Sequence, residues 1–199
     1  MSSTKRGATR VANDFYATPA WCVDRLLDAL RDGMPYGDRD TLWLEPCVGD
    51  GAIVRAVDAW HDRMGLMPVR WQMVDIAPQY AREGVVTDDY LTACFEERPT
   101  AAIMNPPFSF AMEFVEAARQ DADIVMCLQR VNWLGSEARQ PFWKANMPDI
   151  YLLPNRPSFQ RNLRGVAMTD SVEYAWYVWG LTGGGHIRML DLTPAAERK

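Results

Sequence analysis

Short apolar runs rich in β-branched and aromatic residues alternate along the chain with stretches whose apolar positions recur at helical spacing. The first stretch, Trp21, Val23, Leu26, Leu27 and Leu30, follows Thr18-Pro19, and a proline in the first turn suits a helix start. Gly33 and Pro35 end it. Leu42-Trp43-Leu44 reads as a short buried strand, with an amphipathic helix expected from 52 to about 60. Residues 69–74 and 84–87 read as two more strands. A fourth, 101–104, stops at Asn105-Pro106-Pro107-Phe108, because consecutive prolines cannot continue a central ladder. A helix over 109–119, a strand over 124–128 and a helix over 136–146 follow. Beyond Ile150 the pattern changes. Tyr151-Leu152-Leu153, a loop over 154–171 and an apolar run over 172–179 predict an antiparallel hairpin at one edge. The alternation implies an α/β fold, a mostly parallel sheet of seven strands with helices on both faces.

The chain has 199 residues, the size of one domain. We expect a flexible arm over 1–13, a core over 14–179 and a frayed tail over 194–199, with no separate target-recognition domain. Hydrophobic residues make up 48% and charged residues 24%, the balance of a packed globular protein. No apolar run is long enough to span a bilayer, and Met1-Ser2-Ser3-Thr4-Lys5-Arg6 lacks the apolar stretch of a signal peptide, so a cytoplasmic location and no membrane partner are expected. Cys22, Cys47, Cys94 and Cys127 lie far apart, which suggests reduced, mostly buried thiols. His61 and His186 are the only histidines, too few for a histidine-rich metal site, and no metal is expected.

Net charge is −5, which argues against holding nucleic acid by a bulk basic surface. The sign is not uniform. Acidic side chains predominate up to residue 127 and basic ones beyond it, where Arg130, Arg139, Lys144, Arg156, Arg161 and Arg164 are candidates for meeting phosphates.

Three strands close on acidic residues: Glu45, Asp75 and the pair Asp88-Asp89. The turn Glu45-Pro46-Cys47-Val48-Gly49-Asp50-Gly51 joins strand to helix, and open α/β sheets bind ligands beyond the carboxyl ends of their strands. Its glycines let the backbone approach a ligand closely. Asp75, at the next strand end, is placed to accept ribose hydroxyls. Glu45 would repel a diphosphate but suits a cationic cofactor carrying an ammonium or sulfonium group, and S-adenosylmethionine has both. In Asn105-Pro106-Pro107-Phe108 the prolines remove N–H donors, Asn105 adds an amide oxygen and Phe108 an aromatic face, a cluster suited to a planar amine. Two acceptors on one exocyclic NH₂ would draw its lone pair out of conjugation and make the nitrogen a nucleophile.

These residues closely resemble the motifs of S-adenosylmethionine-dependent adenine-N6 DNA methyltransferases, in the order of the gamma group: Tyr16-Ala17-Thr18-Pro19 as the aromatic-x-Thr-Pro motif, then 44–51, Asp75, Asp89-Tyr90 and Asn105-Pro106-Pro107-Phe108. The resemblance covers roughly residues 14–179 and implies the Rossmann-like methyltransferase fold. It also implies S-adenosylmethionine as cofactor and DNA as partner, in a bacterial cell or a phage-infected host. By the same resemblance, Tyr16, Thr18, Pro19, Glu45, Pro46, Cys47, Gly49 and Gly51 would surround the methionine end of the cofactor. Asp75 would bind its ribose, Ile76 and Tyr90 would pack at its adenine, and Asp89 would bond the adenine amine. Asn105 would border the cofactor too, and it and the Pro106 carbonyl, with Pro107, would grip the target amine of a base flipped out of the duplex, with Phe108 stacked upon it. Arg156-Pro157-Ser158-Phe159 looks like the segment supplying the second aromatic wall, Phe159, with Arg156, Arg161 and Arg164 toward the nucleic acid.

Other acceptors stay open on the residues alone: an RNA base, cytosine N4 or a protein glutamine. So does a noncatalytic module that binds cofactor or a partner. Trp133 and Trp143, lying among basic residues, are candidates for contacting unstacked bases. Without a recognition domain, sequence preference is expected to be short or loose. Monomer and homodimer are equally compatible with the sequence.

Overall fold

The computed structural model describes residues 17–36, 41–161, 167–168 and 171–198. Helix α1 (Ala20–Leu30) starts directly after Pro19 and buries all five of the apolar positions read from its spacing. Strand β1 (Leu42–Glu45) is buried throughout and leads through the glycine turn into α2 (Ala52–Met64). Gly65 ends α2 in the left-handed region (φ 67°), donating its N–H to the Asp62 and His61 carbonyls. Then come β2 (Arg70–Asp75), β3 (Val85–Thr87), β4 (Ala101–Met104), α3 (Ala111–Asp121) and β5 (Ile124–Arg130). A 3₁₀ turn over Val131–Leu134 precedes α4 (Gln140–Ala145) and β6 (Asp149–Leu152). The last strands are β7 (Gln160–Arg161), β8 (Ala167–Met168), β9 (Tyr174–Trp179) and β10 (Ile187–Met189).

The main sheet runs β10-β6-β9-β5-β4-β1-β2-β3. From β3 to β5 every pairing is parallel; β9 is antiparallel to both β5 and β6, and β10 is parallel to β6. Alternation along the strands builds two apolar layers. One joins Trp43, Ile103, Met126, Leu128, Tyr151 and Trp176 to α1 and α2; the other joins Leu44, Ala102, Met104, Cys127, Ala175 and Tyr177 to α3 and α4. The mostly parallel α/β sheet covered on both faces therefore matches the sequence reading.

Its details differ in five places. The sheet has eight strands rather than seven, because β10 adds an edge strand whose three residues are exposed and carry no burial alternation. The antiparallel pair is not at the edge: β9 inserts between β5 and β6. The stretch read as one helix over 136–146 is helical only over Gln140–Ala145, and β7 pairs with β8 inside the segment read as a loop. At the far end, Arg25 donates from Nε to Thr193 Oγ1 (3.0 Å) and from Nη2 to Glu197 Oε2 (2.9 Å), tying 193–197 to α1 where a frayed tail is expected.

Candidate active site

A cleft of about 640 Å³ opens at the carboxyl ends of β1, β2 and β4. Its walls hold Thr18, Glu45, Pro46, Cys47, Gly49, Asp75, Ile76, Asp89, Tyr90, Asn105 and Pro107 among the residues the sequence singles out. Of the others, Pro19 lies next to it as the residue before α1, and Gly51 closes the turn beneath it. Tyr16 and Arg164 lie outside the described residues, as does the side chain of Arg161.

The glycine turn is held from three sides. Val48 N–H donates to the Val74 carbonyl (3.0 Å), Gly49 N–H to Asp75 Oδ2 (2.8 Å), and Gln79 N–H to the Gly49 carbonyl (2.8 Å). Gly49 and Gly51 have φ of 51° and 78°, the left-handed region. At Gly51 a Cβ would also stand 2.5 Å from the Tyr80 ring. Asp75 accepts a second N–H, from Ala77 to Oδ1 (2.8 Å). Each carboxylate oxygen thus keeps one lone pair for a ligand hydroxyl.

Glu45 is 2% exposed, and its Oε2 has no hydrogen-bond partner among the described residues. Burial pushes its carboxyl well above the ordinary range; the Val54 N–H opposes this, and the charges of Asp50 and Asp75 add to it. Burial likewise raises the Cys47 thiol, assisted by Glu45 and Asp75 and opposed by the Asn105 N–H, so Cys47 serves as an apolar wall. Asp50, Asp88 and Asp89 complete an acidic rim. Asp89 also shapes its own loop, accepting Leu91 N–H at Oδ1 (3.1 Å). Tyr90 is buried, and its hydroxyl donates to Asp121 Oδ2 (2.7 Å). Burial, then the Asp121 carboxylate, raises the Tyr90 phenol well above its usual range.

Ile76 is 67% exposed and Phe110 52% exposed, with Leu91 beside them on the same cleft. Three exposed apolar side chains around one acidic hollow suit a planar ring with a polar, cationic end. Phe110 and Leu91 escape sequence reading because their exposure depends on how α3 and the β3–β4 connection meet, not on spacing.

Asn105 and Pro107 face the cleft, but Pro106 and Phe108 are not part of its lining. Asn105 Nδ2 donates to Thr18 Oγ1 (3.1 Å) across the cleft floor. Pro106 is buried, and its carbonyl accepts Gln129 Nε2 (3.4 Å), which leaves one lone pair. Phe108 turns the other way. Its ring packs against Tyr174 (centroids 6.3 Å apart) under the Arg130 guanidinium (4.3 Å), and Phe159 meets the same Tyr174 edge-on (4.9 Å). Phe108 and Phe159 are thus brought together around Tyr174, a residue that sequence reading passed over as ordinary strand. Arg130 Nε also donates to Tyr174 Oη (3.3 Å), and Arg156 pairs with Glu173.

Trp133 and Trp143 do not reach any such surface. They are 6% and 7% exposed, cross at 84° with centroids 4.8 Å apart, and pack on Tyr177 in the α4 layer. The expectation that they contact bases is corrected: eight tryptophans in a chain this size mostly build the core. Cys22 and Cys127 are buried, Cys94 is exposed, and all four cysteines are free. Among the described residues no helix is long and apolar enough to cross a membrane.

No protein-family model matches the chain, and no curated protein sequence does. Solved structures do. A Listeria monocytogenes protein described as a class I S-adenosylmethionine-dependent methyltransferase superposes with a TM-score of 0.65 at 12% identity, over 92% of this chain and 67% of that one. A modification subunit of a type I restriction enzyme from Vibrio vulnificus gives 0.59 at 12%, over 92% and 49%, so the chain spans about half of that subunit. The 23S rRNA methyltransferase ErmE gives 0.56 at 13%, over 92% and 74%. The fold is that of the Rossmann-like class I methyltransferases.

Proposed function

We propose that the protein is an S-adenosylmethionine-dependent methyltransferase that modifies the exocyclic N6 amine of adenine in DNA. The observation that carries this reading is the shared wall: Asn105 and Pro107 line the same cleft as Glu45, Gly49 and Asp75. A methyl donor and an amine held by those two sets would meet.

The chemistry of the walls fits the cofactor. The buried Oε2 of Glu45, without a hydrogen-bond partner among the described residues, suits a cation, which the ammonium and sulfonium groups provide. Asp75 has lone pairs left for ribose hydroxyls, and Ile76, Leu91 and Phe110 offer apolar surface to an adenine ring. When bound, S-adenosylmethionine supplies a methyl group made electrophilic by the sulfonium.

This chain's own part is to hold the acceptor. Asn105 Oδ1 and the remaining lone pair of the Pro106 carbonyl accept the two N–H bonds of the amine, which moves the nitrogen lone pair out of the ring system and aims it at the methyl carbon. Phe108, Tyr174 and Phe159 form an aromatic group beside the Asn105 turn, outside the lining of the cofactor cleft, on which a flipped base would stack. For that the Arg130 guanidinium has to leave the Phe108 ring, exchanging a cation–π contact of roughly 0.5–2 kcal/mol for base stacking of about the same size. DNA is favoured over RNA by the adenine-N6 motif order, and similarity to both DNA-modifying and rRNA-modifying proteins supports a nucleic acid over a protein acceptor.

The test incubates the protein with methyl-labelled S-adenosylmethionine and, separately, duplex DNA, single-stranded DNA, bulk RNA and protein extract, followed by nucleoside mass analysis. Labelled N6-methyladenine in DNA is expected, and Asn105→Ala should lose about 10²-fold or more in turnover while still binding cofactor. Label in RNA or protein replaces the acceptor; cofactor binding without label anywhere leaves a noncatalytic module.

A further inference from the structure

Asp121 is the last residue of α3, where an acidic side chain stands at the negative end of the helix dipole. Asp123, two residues on, is offset by Arg98 at 3.0 Å; Asp121 has no such cation among the described residues. What it holds instead is a phenol. The Tyr90 hydroxyl donates to Asp121 Oδ2 at 2.7 Å, from a position 31 residues earlier in the chain. Asp121 neither suits its helix nor lines the cleft, so its use lies in what that bond fixes.

It fixes the turn that carries Asp89. Between residues 86 and 98 Tyr90 is the only buried residue, and its neighbours on both sides, Asp89 and Leu91, line the cleft. The hydrogen bonds of Asp89 stay within the turn: it accepts N–H from Leu91, Thr92 and Ala93 and gives its own to Asp88. Tyr90 is what ties this turn to the body of the fold. Its ring packs on Phe114 of α3 (centroids 5.4 Å apart), and its hydroxyl meets the C-terminal end of the same helix. That helix starts directly after Phe110, another wall of the cleft. One helix thus sets Phe110 directly, and Asp89 and Leu91 through Tyr90.

Ring packing and hydrogen bond do different things here. An aromatic contact tolerates sliding, whereas a hydrogen bond has a distance and a direction. Burial and the Asp121 carboxylate both raise the Tyr90 phenol, so it keeps the proton it donates. We propose that Asp121 is a positioning residue for cofactor recognition: by holding the Tyr90 hydroxyl it sets the Asp89 carboxylate where a purine 6-amino group meets it, and so makes the cleft selective for adenine over a purine without that group. This rests on the reading of the cleft as an S-adenosylmethionine site with Asp89 at the adenine amine. A purine with hydrogen at position 6 has no donor to give there, so the preference for adenine measures how well Asp89 is placed.

Calorimetry with two ligands tests this without any methyl acceptor: S-adenosylhomocysteine, the demethylated cofactor, and its analogue with hydrogen in place of the 6-amino group. Wild type should prefer S-adenosylhomocysteine by at least about tenfold, the worth of one charge-assisted hydrogen bond. Tyr90→Phe keeps the ring and its packing, and Asp121→Ala keeps the whole tyrosine; in both, the preference should fall to about threefold or less. Asp121→Asn leaves an amide oxygen to accept the phenol and should retain the wild-type preference. A side chain that only steadied the fold would weaken both ligands alike, so an unchanged ratio in Tyr90→Phe and Asp121→Ala overturns the proposal, and so does an Asp121→Asn variant that loses as much as Asp121→Ala. Either of the first two variants decides alone should the other not fold. A wild type that binds neither ligand overturns the cofactor reading and the proposal with it. One that binds both equally overturns the place of Asp89 at the amine, again with the proposal. Where the wild type discriminates, the variants pass judgement on Asp121 by itself.

Discussion

Asp75 at the end of β2 accepts the backbone N–H of Gly49 at 2.8 Å, so the second strand of the parallel sheet holds the turn that follows the first. The same carboxylate accepts Ala77 N–H. Asp75→Ala is expected to loosen the turn and remove the proposed ribose acceptor together. Charge-assisted bonds contribute roughly 1.5–3 kcal/mol each, less at a partly exposed site. Thermal melting should fall by several degrees and S-adenosylmethionine affinity by at least about tenfold. Unchanged affinity in calorimetry would move the cofactor away from β2.

Glu45 predicts a proton signal. Its folded-state carboxyl is raised, so burial favours the protonated form, and that advantage is present at low pH and lost as pH rises through the folded-state value. A cationic ligand beside it favours the charged form instead. S-adenosylmethionine binding should therefore release a proton at pH values below that raised value, and affinity should rise with pH until Glu45 is ionised without ligand. Calorimetry in buffers of different ionisation enthalpy measures this. Glu45→Gln should abolish the released proton; a release that survives the substitution assigns it elsewhere.

Gly51 carries two constraints that separate experimentally. Its φ of 78° costs an L-residue about 1 kcal/mol, and a Cβ there meets the Tyr80 ring at 2.5 Å. Gly51→Ala should destabilise by roughly 2–3 kcal/mol in urea unfolding. Adding Tyr80→Ala should return the part due to contact and leave the part due to backbone; additive losses would mean the ring moves aside freely.

Trp143 is packed between Trp133, Tyr177 and Trp179. Trp143→Ala should cost about 3–5 kcal/mol, and Trp143→Phe less. At a temperature where Trp143→Phe is fully folded, its binding to DNA should equal that of the wild type. A specific loss of DNA binding in the folded variant would restore the nucleic-acid role that burial removes.

The acidic strand ends were readable because a parallel sheet projects the residues after its strands into one crevice, so Glu45, Asp75 and Asp88-Asp89 identify the cleft before any coordinates. The faces of aromatic residues were not. Trp133 and Phe108 both follow strands and both lie near basic residues, yet one is core and the other stands under Arg130, and only the packing of α4 and β9 separates them. β10 escaped for a related reason: an edge strand of three exposed residues has no alternation to detect. The Thr18–Asn105 hydrogen bond spans 87 residues, and neither position carries a local signal of the other.

The place of β9 sets an order of assembly during synthesis. Among the described residues every one that lines the cleft lies at or before Phe114, but β9, which fills the space between β5 and β6, begins only at Tyr174. A nascent chain that has completed β5 thus already contains these cleft residues, while one edge of that strand, buried along six of its seven residues in the finished protein, still waits for a partner. Such an edge invites pairing with other chains. A ligand with affinity for that half-built sheet would stabilise it during this interval by mass action, which would tie the yield of folded protein to the supply of that ligand.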